Sequence, residues 1–94
     1  MSEEQILLGS LSQDLFRIAN FIASGSVKAA ERFWVESRKW LLALEKYEQP
    51  DYLAKILQRL RQMEFEVESR EQAELILTYG VIIQSLVCHK KTPV

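Results

Sequence analysis

A chain of 94 residues, 48% apolar and 27% charged with only three glycines and two prolines, has room for one core and the make-up of a folded helical domain rather than a disordered one. A formal net charge of −1 supplies no overall field toward nucleic acid or anionic lipid, and the single cysteine, Cys88, excludes an intramolecular disulfide. A domain of this size buries only about 60–65% of the surface its unfolded chain exposes, so a partner would add usefully to a thin margin of stability.

Met1-Ser2-Glu3-Glu4 starts acidic where an export signal requires basic residues, and a cytoplasmic setting is expected. Ser2 and Gln5 have capping-box spacing, and Glu3 and Glu4 suit the positive end of a helix dipole, which predicts a first helix over 3–24. Leu8, Leu11, Leu15, Ile18 and Ile22 recur at steps of three and four, so they share one face. Phe16, Ala19 and Ala23 widen that face beyond a coiled-coil seam, which implies more than one neighbour, while Arg17 projects away from it.

Gly25-Ser26 reads as a stop and a start, glycine taking the left-handed conformation that ends one helix and serine capping the next. The second helix is predicted over 27–47, with Val27, Ala30, Trp34, Leu41 and Leu44 on one stripe and Phe33, Trp40 and Tyr47 beside it. Pro50 breaks the pattern and suits the first turn of a third helix over 50–64, whose buried side carries Leu53, Ile56, Leu57, Leu60 and Met63. Glu64-Phe65-Glu66-Val67-Glu68 alternates like a strand with no second strand to pair with, so 64–68 is read as the helix end plus a linker.

Ser69 and Gln72 repeat the capping-box spacing ahead of a fourth helix over 70–88. From Leu75 to Cys88 this helix, interrupted by Thr78, Gln84 and Ser85, is apolar on nearly every side, which predicts that neighbours enclose it. It falls short of the roughly 20 apolar residues that span a bilayer, and no membrane association is expected. Gly80, in its middle, leaves space for another helix to approach closely, and His89, Lys90 and Lys91 suit its negative end.

Few residues invite chemistry. Cys88 and His89 point about 100° apart and have no further histidine or cysteine to complete a metal site. The glutamates from 64 to 74 lack the spacing and glycine of a calcium loop and read as capping and solvated charges. No carboxylate pair falls on a predicted buried stripe, and one terminal histidine does not make a hydrolytic triad.

The expected fold is all-α: a small antiparallel four-helix bundle, one domain over 1–94, with the fourth helix central. The expected function is a non-enzymatic interaction module, an adaptor, regulator or assembly factor that pairs with itself or with a helical partner, without cofactor. Its candidate interface is Phe33, Trp34, Trp40, Tyr47, Tyr79 and Val81, since aromatic side chains anchor interfaces when a small core cannot hide them all. Two other readings stand beside it. One is a small enzyme binding an anionic metabolite through Arg38, Lys55 or Arg59; the other is weak nucleic-acid binding through the basic face carrying Lys55, Arg59 and Arg61. For that last reading, the aromatic second helix lacks the polar face that base reading requires.

Overall fold

The computed structural model describes residues 2–66 and 69–90, the last three for their backbone alone. Cys88, His89 and the tail beyond Lys90 therefore lie outside the described side chains. Four helices follow one another: α1 Glu3–Ser24, α2 Val27–Leu44, α3 Asp51–Gln62 and α4 Arg70–Lys90. The chain runs up, down, up and down, and every helix contributes to one core: Leu8, Leu11, Leu15 and Ile18 from α1, Leu41 and Leu44 from α2, Leu53, Leu57 and Leu60 from α3, Ile76 and Ile83 from α4. Each such side chain gains about 1.5–3 kcal/mol over exposure to water.

The first helix begins as its sequence predicts, Ser2 Oγ accepting from the Gln5 N–H and the Gln5 side chain from the Ser2 N–H, both at 3.1 Å. It ends at Gly25, whose φ of 78° lets its own N–H reach the Ile22 carbonyl and the Ser26 N–H reach that of Phe21. Ser26 makes no side-chain cap on α2, however; its hydroxyl lies 3.3 Å from that of Ser24 instead.

The central position belongs to α1, not α4. Helix α1 packs closely along both α2 and α4. Its buried residues run from Asp14 and Ile18 around to Ala19 and Ser12, an arc of about 160° at 100° per residue, with one edge against each neighbour. On the α2 edge Asp14 meets Trp40 and Phe21 stacks on Phe33 at 5.7 Å; on the α4 edge Ser12 donates to Gln84 at 2.8 Å. Gly80 serves the close approach expected of it, since a Cβ there would stand 3.3 Å from Leu15 Cβ and from Phe16. Enclosing α4 would take neighbours on all sides. The 12-residue α3 does not supply them, and the outer half of α4 stays open.

Helix ends differ from the sequence expectation where side chains from elsewhere take backbone groups. Helix α2 stops at Leu44, three residues before Tyr47, where the Leu41 carbonyl accepts from Arg61 Nη2 at 3.1 Å and the Glu45 N–H bonds to the Leu42 carbonyl in place of that of Leu41. Helix α3 stops at Gln62, and the Leu60 carbonyl freed by that ending accepts from Arg38 Nη1 at 2.7 Å. Ser69 caps α4 by accepting from the Gln72 N–H at 3.1 Å. The return bond of a capping box is absent: the Gln72 amide accepts from the Glu66 N–H and donates to the Glu64 carbonyl, each at 2.7 Å, and so ties the non-helical segment 63–66 to α4.

Candidate interaction surface

Most of the aromatic side chains expected at an interface are spent inside the chain. Trp34 is buried, stacks on Phe65 at 5.2 Å and carries the Arg38 guanidinium 4.0 Å over its ring. Phe33, half-buried, stacks on Phe21 under Arg17. Trp40 donates its indole N–H to Asp14, Tyr47 is half-buried against the core, and Tyr79 is buried. Val81 alone of the six stands open, 53% exposed, on the side of α4 away from Tyr79.

Around Val81 the helix remains apolar. Leu75 and Leu77 are 41% and 42% exposed, Thr78 and Ser85 are also exposed, and no acidic or basic residue occurs between Leu75 and Cys88. The Thr78 hydroxyl donates to the Glu74 carbonyl at 2.9 Å, so its polarity is satisfied within its own helix. Two other exposed apolar residues stand near charges: Val35 sits one turn from Glu31 and Lys39, and Leu42 one turn from Arg38 and Lys46. Single exposed residues are ordinary on any surface; a charge-free strip three turns long is not.

Beside this strip runs a groove of 660 Å³ between the second half of α1 and the first turns of α4. Its lining is mostly small or apolar, with Ala19, Ala23, Gly25, Ala73, Val27 and Leu77, and Arg70 and Glu74 also border it. Leu77 belongs to both groove and strip, so the two form one continuous surface.

The basic residues do not assemble as the nucleic-acid reading requires. Lys55 and Arg59 are exposed one turn apart on α3, but Arg61 turns inward to the Leu41 carbonyl, 3.7 Å from Glu45. Arg38 is likewise turned in, and burial holds its pKa below the usual arginine value. Arg38 Nε and Nη2 and Arg61 Nε are sealed from solvent without a hydrogen-bond partner, so they offer no open seat for an anion.

A buried carboxylate escaped the sequence reading. Asp14 is 2% exposed on the α1–α2 seam, accepting from Trp40 Nε1 at 2.8 Å and from Arg17 at 3.4 Å. Burial pushes its pKa up to about 6; the Trp40 bond opposes this, and the neighbouring Glu36 adds to it. The signal was in the spacing, since Leu7, Leu11, Asp14 and Ile18 follow a helical stripe in which aspartate holds a core position. Asp14 faces the seam rather than the groove. Among the described residues no three His, Cys, Asp or Glu side chains gather to hold a metal, and no helix is long and apolar enough to cross a membrane.

Fold and surface together define a small helical bundle with its first helix at the centre and one uncharged, apolar face left open. Comparison with protein-family models, with curated proteins and with solved structures finds no match for the chain.

Proposed function

We propose that this protein is a non-enzymatic protein–protein interaction module, an adaptor, regulator or assembly factor that works through the outer face of α4 and the adjoining α1–α4 groove. The observation that carries this reading is the strip of Leu75, Leu77 and Val81, open to water on a helix with no charge between residues 75 and 88. Exposed apolar area of this kind costs about 25 cal/mol per Å² relative to burial and marks interaction surfaces on small domains. The aromatic residues first expected at the interface instead rigidify the scaffold behind it: Trp34 and Phe65 pin the segment after α3, and Trp40 pins α2 to α1.

The test is a quantitative comparison of proteins retained by the chain in its native cells. Leu77→Asp/Val81→Asp is expected to lose the specific partners that the wild type and Lys55→Glu/Arg59→Glu both keep. Equal retention by the surface variant, or no specific retention by the wild type, removes the reading.

A further inference from the structure

Resting on that reading, we infer that the occupant of the α4 face is the α4 of a second copy, laid antiparallel about a two-fold axis between Val81 and Ile82. Three features of the chain converge on this arrangement.

The first is the order of charges along the helix. Glu71 and Glu74 stand exposed in the opening turns, Arg70 is turned to the α1 groove, the stretch from 75 to 88 is uncharged, and His89, Lys90 and Lys91 follow in the sequence. An antiparallel copy keeps the two acidic starts apart and opposes the two helix dipoles favourably; a parallel copy would set the exposed Glu71 and Glu74 of one chain beside those of the other.

The second is the pattern of side-chain size across the open face. At 100° per residue Thr78 and Ser85 lie near the centre of the outward arc, with Leu77 and Val81 on one flank and Leu75 and Ile82 on the other. Small residues on the mid-line let two helix backbones approach, and the two-fold axis sets Thr78 of one copy opposite Ser85 of the other, with Val81 beside the partner's Val81 on one flank and Ile82 beside the partner's Ile82 on the other. Each apolar flank then meets an apolar flank.

The third is extent. The 21 residues of α4 span about 31 Å, most of the molecule's 41 Å long axis. A contact strip of that length covers roughly 500 Å² per copy, about 1,000 Å² in all, which is at the lower edge of specific interfaces. The pair is therefore a reversible dimer whose two halves separate on dilution, and closed two-fold pairing stops the face from propagating into fibres.

Light scattering and sedimentation of the purified chain test this directly. The wild type is expected to rise with concentration from its 11.0 kDa chain mass toward twice that value. Val81→Asp, placed at an exposed position, is expected to stay monomeric over the same range with an unchanged helical spectrum. In a Cys88→Ser background, Thr78→Cys/Ser85→Cys is expected to form a covalent dimer under mild oxidation, and Thr78→Cys alone to cross-link at least tenfold less. A wild type monomeric at millimolar concentration, a dimer that Val81→Asp leaves intact, or a double-cysteine chain that cross-links no better than the single overturns the pairing. If any of these occurs while Leu77→Asp/Val81→Asp still abolishes cellular partners, the pairing fails and the interaction module stands. Loss of both removes both.

Discussion

Trp40 donates its indole N–H to Asp14 across the α1–α2 seam at 2.8 Å, placing one carboxylate where water barely reaches. Ionising Asp14 there is costly, which is why burial lifts its pKa to about 6 despite Trp40 and Arg17. Between about pH 4 and pH 6 the folded chain holds a proton that the unfolded chain has released, so this residue's contribution to stability falls as pH rises through that window.

Asp14→Asn keeps an acceptor for Trp40 and removes the charge. The expected outcome is a variant more stable than the wild type at pH 7 by about 1–3 kcal/mol, with the difference vanishing below about pH 4. Urea denaturation followed by tryptophan fluorescence at several pH values measures it; a difference that grows toward acid would show the carboxylate to be stabilised in the fold instead.

Arg38 and Arg61 clasp α2 and α3 reciprocally, each taking a carbonyl of the other's helix. Arg61→Met is expected to cost about 1–2 kcal/mol through the lost bond to the Leu41 carbonyl and the loosened α3. It should also release that carbonyl to the Glu45 N–H, extending α2 by up to one turn, which backbone chemical shifts at residues 45–47 would record. Unchanged shifts would mean that Pro50, not Arg61, ends the helix.

The two helical glycines behave oppositely. A Cβ at Gly9 meets nothing within 4 Å, so Gly9→Ala is expected to stabilise by about 0.5–1 kcal/mol through helix propensity. At Gly80 α1 is already in contact, and Gly80→Leu is expected to prise α4 from α1 and destabilise by about 3 kcal/mol or more. Thermal melts of the pair decide this, and a Gly80→Leu chain as stable as the wild type would contradict the close approach.

Lys55→Glu/Arg59→Glu exchanges two exposed charges on α3 and should shift the melting temperature by no more than about 2 °C, with stability within roughly 0.5 kcal/mol of the wild type. A larger loss would assign these side chains a partner that neither helix packing nor ion pairing provides.

Local chemistry was most legible in α1. The Ser2–Gln5 box, the left-handed Gly25 and the three-and-four spacing of leucines set the start, stop and inner face of α1, because each depends on residues within a turn or two of one another. Even the breadth of the α1 face, with Ala19 and Ala23 beside the leucines, pointed to two neighbours.

Tertiary structure alone decided what depends on distant residues competing for the same surface or the same hydrogen bond. Helix α4 carries the longest uncharged run of the chain, 75–88, yet α1 became the centre because it alone is flanked by long helices on both edges, leaving Leu77 and Val81 in water. Trp34 went to Phe65 and Trp40 to Asp14, pairings between residues 26 or more positions apart that no periodicity encodes. The Leu41 carbonyl at the end of α2 accepts from an arginine 20 residues downstream, a partner that its own helix could not announce.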